Sequence, residues 1–467
     1  MLVFERRNTE KKGLKIIIVG CGKVGLTLIE QLTKEGHDIT VIDKDAKKLQ
    51  EVLQVYDVMH VVGNGASYSV QEEADIEHTD LIIAVTGSDE LNLLCCTVAK
   101  RVRTCSAIAR VRTPDYSDNI EDVNYLRKRL GLAMIINPEL EAASEAARIL
   151  YLPTALEINT FAHGLVEMIK IKIPDKNVMD GETIATVSKN SPAKILICAV
   201  ERDGEVFIPS GDFILRAGDL ISFTASRKNV REFLTNIGFQ TNQVKDTMII
   251  GGGKSAYYLA KQLLNMGIEV KIIERSMERC EELSVLLPNA IIINADGTEE
   301  GTLKEEGIEA TESFVALTGI DEENVMLTLY AKNISNAKVI TKINKITFKN
   351  VLNSLDLGSV IYPKYITSEA IVAYVRAKTD SMNSNIETLY HMFDSKAEAI
   401  EFLIDKETDV IGKTFKELKL KDNLLITIIN RNGKIIIPGG DDCIELGDTV
   451  VIVTKHTGLN DIEDILR

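Results

Sequence analysis

The run Gly20-Cys21-Gly22-Lys23-Val24-Gly25 follows the apolar stretch Lys15–Val19 and opens a helical pattern. In that setting the three glycines have separate uses: the first permits a tight turn, the second lets backbone approach a ligand, and the third brings helix close to strand. A helix starting there aims unpaired N–H groups and the positive end of its dipole at the loop, which is chemistry for holding a phosphate. Asp43 lies 23 positions after Gly20, at the end of the next strand pattern. A carboxylate there accepts hydrogen bonds from ribose hydroxyls and repels a 2′-phosphate, so loop and acid together favour NAD or an adenine nucleotide over NADP.

The same constellation returns 231 positions later, where Gly251-Gly252-Gly253-Lys254-Ser255-Ala256 follows Thr247-Met-Ile-Ile250 and Glu274 takes the place of Asp43. A lone glycine motif is weak; two copies with the same loop-to-acid spacing are not a chance turn. The correspondence continues with an offset of 232. Leu81-Ile-Ile-Ala-Val-Thr-Gly-Ser-Asp-Glu90 matches Ser313-Phe-Val-Ala-Leu-Thr-Gly-Ile-Asp-Glu322, which places Thr86-Gly87 and Thr318-Gly319 at the carboxyl end of the fourth strand of each copy. Doubly wound sheets bind ligands at that edge, and the small residues leave room for one; ordinary turn chemistry is the alternative reading. Asn64-Gly65 and Asp296-Gly297, after the third strand, admit adenosine contacts or plain turns equally. Arg110, at the end of the fifth strand, can offer a guanidinium fork to a phosphate or carboxylate, whereas its counterpart Lys342 offers a point charge.

These residues need a scaffold, and the pattern around them supplies one. Short β-rich runs (Lys15–Val19, Asp38–Ile42, Asp57–Val62, Leu81–Val85, Ser106–Val111) alternate with helical patterns such as Leu26–Glu35 and Ala46–Leu53, the signature of βαβ units and a parallel sheet. A second kind of unit follows, punctuated by Gly204, Gly211 and Gly218 between runs such as Ile195–Val200 and Leu220–Phe223, and it reads as a small α+β domain with an antiparallel sheet. It too is repeated: Ile208–Asp219 and Ile437–Asp448 share six of twelve residues. The whole half-chain is therefore duplicated. The expected organisation is an N-terminal tail at 1–13, a Rossmann-like domain at 14–137, a linking helix at 138–155 and an α+β domain at 156–240. A second Rossmann-like domain at 245–362, a second linking helix at 363–382 and a second α+β domain at 383–467 follow. The helical cores of the linkers are Glu139–Leu150 and Tyr365–Arg376, rich in small residues; each reads as a connector or as a hinge and dimerisation arm.

Composition narrows the function. With 467 residues, 45% hydrophobic and 26% charged, the chain has several folded cores. A net charge of −15 opposes binding to nucleic acid. Seven scattered cysteines without a CxxC pair, and six histidines, predict neither a disulfide framework nor a metal site. No apolar run approaches the ~18–20 residues of a membrane span, and the start lacks the apolar core of a secretory signal, so a cytoplasmic protein is expected. A dehydrogenase needs an acid or base near the nicotinamide, and none recurs between the halves; the histidines are expected to face solvent. The spacing Tyr257-Tyr258-Leu-Ala-Lys261 imitates a catalytic YxxxK but falls on the first helix after the glycine turn, where tyrosine packing is the expectation.

With Gly20–Gly25, Gly251–Ala256, the intervening Ile108-Ala-Arg-Val-Arg-Thr-Pro-Asp-Tyr116 and the repeated Ile-Pro-x-Gly-Asp…Gly-Asp segments in view, the chain resembles the TrkA-type peripheral subunits of Trk potassium-uptake systems. The resemblance covers nearly everything after Gly13. It implies two nucleotide-binding RCK (KTN) N-terminal segments and two RCK C-terminal segments. It also implies binding of NAD(H), and in some members ATP or ADP, without turnover. By the same resemblance, Gly20, Cys21, Gly22, Lys23, Val24, Gly25, Asp43, Thr86, Gly87 and Arg110 would contact nucleotide in the first copy, and Gly251, Gly252, Gly253, Lys254, Ser255, Glu274, Thr318 and Gly319 in the second. One departure is Ser255-Ala256, where the family more usually has a bulky residue and glycine. The resemblance further implies a homo-oligomeric ring of RCK domains, peripheral on the inner face of the membrane, against a potassium-translocating TrkH-type subunit. The alternatives are an RCK regulator of another cation channel or antiporter, and an NAD-dependent oxidoreductase.

Overall fold

The computed structural model describes residues 13–102, 105–117, 120–239, 241–344, 349–379 and 386–467; the tail expected at 1–13 lies, up to residue 12, outside them. The chain divides after Asn137 into two compact units.

The first unit is a six-stranded parallel sheet in the order β3-β2-β1-β4-β5-β6, the doubly wound arrangement. Its strands are β1 (Lys15–Val19), β2 (Asp38–Asp43), β3 (Met59–Val62), β4 (Leu81–Ala84), β5 (Ser106–Arg110) and β6 (Met134–Ile136). Helices α1 (Lys23–Lys34), α2 (Ala46–Leu53), α3 (Tyr68–Glu73), α4 (Asp89–Val102), α5 (Pro114–Ser117) and α6 (Ile120–Leu130) connect them. β4 is buried along its whole length and β1 everywhere but its first residue, Lys15, which is why they read as unbroken apolar runs rather than alternating ones. The sixth strand went unpredicted: three residues after a glycine turn carry too little pattern to be seen.

The second unit opens with linking helix α7 (Pro138–Tyr151). A five-stranded antiparallel sheet follows, in the order β10-β9-β11-β8-β7, built from β7 (Glu157–Phe161), β8 (Val166–Lys172), β9 (Leu196–Arg202), β10 (Glu205–Phe207) and β11 (Leu220–Ser226), with α8 (Ile184–Asn190) and α9 (Arg227–Asn236). A second doubly wound sheet, β14-β13-β12-β15-β16-β17, contains β12 (Asp246–Ile250), β13 (Glu269–Glu274), β14 (Ile291–Asn294), β15 (Ser313–Ala316), β16 (Lys338–Lys342) and β17 (Ser359–Ile361). Its helices are α10 (Lys254–Asn265), α11 (Met277–Leu286), α12 (Glu300–Glu305), α13 (Asp321–Ile334) and α14 (Lys349–Ser354). The second linking helix, α15 (Pro363–Thr379), leads to the sheet β18-β19-β22-β20-β21, formed by β18 (Ile386–Met392), β19 (Ala397–Leu403), β20 (Leu424–Arg431), β21 (Lys434–Ile436) and β22 (Thr449–Thr454).

The alanines of α7 have a specific partner. Ala142, Ala143, Ala146 and Ala147 are buried against α10, in one core with Ala256, Tyr257, Ala260 and Leu263. Side chains this small let two helix backbones approach closely, and Gln262 Nε2 donates to Ser144 Oγ across the seam at 3.0 Å. The helix that starts at the second glycine loop therefore carries the first linking helix on its outer face. The two antiparallel sheets share a further core that joins Phe161, Met168 and Cys198 with Met392, Ala399 and Val453.

The repeated Gly-Asp pairs are structural. Asp219 and Asp448 are 2% and 1% exposed, and each takes a forked hydrogen bond from an arginine, Arg202 at 2.8 and 2.7 Å and Arg431 at 2.9 and 2.8 Å. A buried carboxylate needs such a partner, so motif and arginine are kept together in both copies.

Candidate functional site

In the first unit, Gly20 has φ +109°, and a Cβ there would meet the backbone of Thr86 at 3.1 Å, so only glycine fits. Gly22 is the N-cap of α1 with open space around its missing side chain, where a ligand can come up to bare backbone. A Cβ on Gly25 would fall 2.0 Å from Gly20 O. All three sequence-assigned uses of the glycines have a geometric counterpart. The second loop repeats the turn with Gly251 at φ +96° and the open N-cap at Gly253. It differs at Ala256, a fully buried methyl in place of the glycine that the first loop requires at Gly25.

Asp43 is joined to its glycine loop. Its Oδ2 accepts from Cys21 N at 2.7 Å and its Oδ1 from Asp45 N at 2.9 Å. Glu274 repeats this with Gly252 N at 2.7 Å and Ser276 N at 2.8 Å. Each acid thus ties the glycine loop to the turn after β2 or β13, and keeps further acceptor capacity because a carboxylate has about four lone-pair directions. Burial, helped by Asp43, pushes the Cys21 thiol up to about 12, so it is a neutral packing group. At the second loop Arg279 Nε donates to Gly252 O at 2.6 Å, placing a cation beside the loop.

Thr86-Gly87 and Thr318-Gly319 lie just beyond β4 and β15 rather than within them. A residue type that sequence reasoning passed over holds them. Asn92, fully buried in α4, accepts from Thr86 N at 2.8 Å and Thr86 Oγ at 2.7 Å, while its amide donates to Arg110 O at 2.9 Å. Asn324 in α13 does the same with Thr318 N at 2.8 Å and Lys342 O at 2.9 Å. One amide thereby fixes the ends of two neighbouring strands in each site. The signal was present in the repeat, since Asn92 and Asn324 keep the 232 offset, but an amide announces no chemistry by type.

Arg110 stands half-buried at the end of β5, its carbonyl held by Asn92. The guanidinium that reaches Gly87 is that of Arg112, which donates to Gly87 O and, through Nε, to Asp89 at 3.2 Å. Asp89 is 3% exposed, and burial alone would raise its pKa; hydrogen bonds from Thr113 and Arg112 outweigh that and hold it below the usual carboxylate range. Lys342 Nζ donates to Leu317 O at 2.9 Å, directly beside the second glycine loop. Asn64 and Asp296 make turns, accepting from Ala66 N at 3.1 Å and Thr298 N at 2.9 Å. Gly65 and Gly297 are glycines because β1 and β12 are too close for a Cβ, at 2.3 Å from Val19 and 2.5 Å from Ile250.

Tyr257 and Tyr258 are 4% and 1% exposed in the α7–α10 core, with Lys261 Nζ 5.9 Å over the Tyr257 ring, which is packing rather than a proton relay. Among the described residues two histidines depart from expectation. His37 is 9% exposed and accepts from Leu14 N at 3.1 Å, and His391 sits between carboxylates at a helix–sheet junction. The Leu14 N–H satisfies one nitrogen of His37, and the His391 ring lies between Glu369 at 3.3 Å and Glu398 at 3.5 Å. All seven cysteines are free thiols, six of them buried. Among the described residues no helix is long and apolar enough to cross a membrane.

The sequence matches the TrkA-N domain over residues 16–138 and 247–363 and the TrkA-C domain over 168–238 and 399–467. It is 33% identical over 454 residues to a Trk system potassium uptake protein TrkA homolog of Archaeoglobus fulgidus, covering 97% of this chain and 100% of that one. It is 31% identical over 460 residues to the Trk system potassium uptake protein TrkA of Haemophilus influenzae, covering 97% and 99%. Among solved structures, the GsuK channel aligns with a TM-score of 0.64 at 17% identity over 96% of this chain and 77% of its own. The GsuK RCK domain aligns with a TM-score of 0.63 at 17% identity over 95% and 93%. With two TrkA-N and two TrkA-C segments in alternation, and relatives alike along almost its whole length, the chain belongs to the TrkA family of potassium-uptake proteins.

Proposed function

We propose that the chain is the cytoplasmic, nucleotide-sensing regulatory subunit of a Trk-type potassium transporter, binding NAD(H), and also ATP or ADP, in two Rossmann-like sites without turning them over. The observation that carries this reading is the duplicated constellation itself: an open helix N-terminus at Gly22 and Gly253, and an acid hydrogen-bonded to each loop. The fold-sharing GsuK channel has been solved bound to NAD, with a TM-score of 0.62 at 17% identity. The pyrophosphate takes the loop N–H groups, the ribose takes Asp43 or Glu274, and Thr86-Gly87 or Thr318-Gly319 floors the far half of the nucleotide. The partner is a membrane-embedded, TrkH-type potassium-translocating subunit, engaged by a homo-oligomeric ring of this chain on its inner face.

A ligand biases a gate only through a difference in its affinity for the two arrangements, typically ~1–3 kcal/mol. The direct route from the second site runs through α10 to α7, which leads straight into β7. Rubidium uptake by proteoliposomes holding the membrane subunit tests the proposal. Uptake should depend on this chain and respond to added nucleotide, and the Asp43→Ala and Glu274→Ala variants should each blunt the response. Uptake indifferent to the chain, or steady consumption of NADH by the chain alone, would overturn it.

A further inference from the structure

Helix α15 is fastened to the hairpin β18–β19 by a chain of four ionisable side chains. Glu369 Oε1 accepts from the backbone N–H of His391 at 3.2 Å and lies 3.3 Å from its Nδ1. On the other side of the ring, Nε2 lies 3.5 Å from Glu398 Oε1. Arg376, two helical turns after Glu369, grips the same Glu398 carboxylate with two hydrogen bonds of 3.1 and 3.2 Å. Arg376 and Glu398 are 3% and 1% exposed. Buried ion pairs of this kind persist only with every partner in place.

The first half of the chain provides the control. His391 and Glu398 face each other as the second pair from the hairpin turn, and Thr160 and Glu167 hold that position in β7–β8. A threonine does not titrate, and Glu167 pairs there with Arg227 of α9 at 3.1 Å. The histidine was thus introduced into, or lost from, one copy of a shared frame.

The junction is rich in carboxylates. His391 is faced by Glu369, Glu398 and Arg376; Glu369 in turn acts with Glu141 of α7 and Glu157 of β7 on Glu145 of α7, against Arg148 of α7, Lys170 of β8 pairs with Glu157 at 3.7 Å, and Tyr390 of β18 is acted on by Glu369 and Arg148. Among the described residues no three His, Cys, Asp or Glu are arranged to hold a metal. We propose that His391, with Glu369, Glu398 and Arg376, is a proton-binding clasp that fastens linking helix α15 to its C-terminal sheet and opens as the surrounding pH rises.

The direction follows from linkage. Burial lowers the proton affinity of His391, but the hydrogen bond and charge of Glu369 and the charge of Glu398 more than reverse this, so the folded value lies above the ordinary 6.5. Its contribution is complete below 6.5 and is lost as pH rises through that higher value. Burial raises Glu369 against the pull of His391, and burial with Glu157 pushes Glu145 up to about 8; both act in the same direction. Lys338, driven by burial down to about 7, acts in the opposite direction elsewhere in the unit, so the readout must be local.

Amide hydrogen exchange of the full chain, corrected for intrinsic rates, supplies that readout. Protection of residues 366–376 relative to 449–454 should fall as the pH is raised from 6.5 to 9, because a clasp that binds its proton more tightly when closed is weakened when that proton leaves. His391→Gln, which keeps a polar side chain without a titration in this range, should shrink that fall to what Glu369 and Glu145 contribute. A flat profile in the unsubstituted chain, or an unchanged one in His391→Gln, would overturn the clasp. The ring-proton NMR titration of His391 gives a check that needs no variant: a midpoint at or below 6.5 would also overturn it.

Discussion

Asp43 and Glu274 each use one carboxylate oxygen on the glycine loop and the other on the following turn. Replacing either with alanine removes hydrogen bonds to a charged acceptor, worth about 1.5–3 kcal/mol apiece, and should weaken nucleotide binding at its own site by tenfold or more in calorimetry. Asn92 makes a sharper test, because it touches no nucleotide in this reading. Asn92→Ala leaves Thr86 N–H and Arg110 O without their buried partner, at roughly 1–3 kcal/mol per group, and should lower both the urea midpoint and first-site affinity while the second site keeps its own. Gly25→Ala forces a methyl toward Gly20 O, an overpacking that costs about 1–3 kcal/mol and should appear as a lower urea midpoint. The glycines and acids were legible in the sequence because spacing alone defines their chemistry. The asparagines and Arg112 were not, because their role depends on which strand ends the sheet brings side by side.

Among the elements, the strands flanking each glycine loop were legible from apolar runs that parallel, doubly covered strands require, and the helix seam was only half legible. An alanine-rich face announces close packing without naming the partner, and the partner of α7 proves to be α10, more than a hundred residues farther on. Ala147→Leu adds bulk where two backbones nearly touch, so it should destabilise the chain by about 1–3 kcal/mol and alter affinity at the second site, where α10 begins. An unchanged second-site affinity in a destabilised variant would separate packing from transmission. The three-residue strands β6 and β17 escaped notice because so short a run carries no periodicity, and the histidine clasp on α15 did so because its four members come from three elements.

For the molecule as a whole, duplication was the most legible property, since each of the two architectures occurs twice with matching strand order. Its copies have diverged in ways that bear on function: Ala256 against Gly25, Arg279 donating to the second loop where the first copy has Lys48 acting on Cys21, and His391 facing Glu398 where the first copy pairs Thr160 with Glu167. The two sites are therefore expected to be separable in solution. Calorimetric titration of NAD⁺ into the full chain, with Asp43→Ala, Glu274→Ala and the double variant alongside, tests this most directly. Two sites per chain, one removed by each substitution and both by the pair, with no change in nucleotide absorbance, is the predicted result. A single stoichiometry indifferent to both substitutions, or no binding at all, would contradict it.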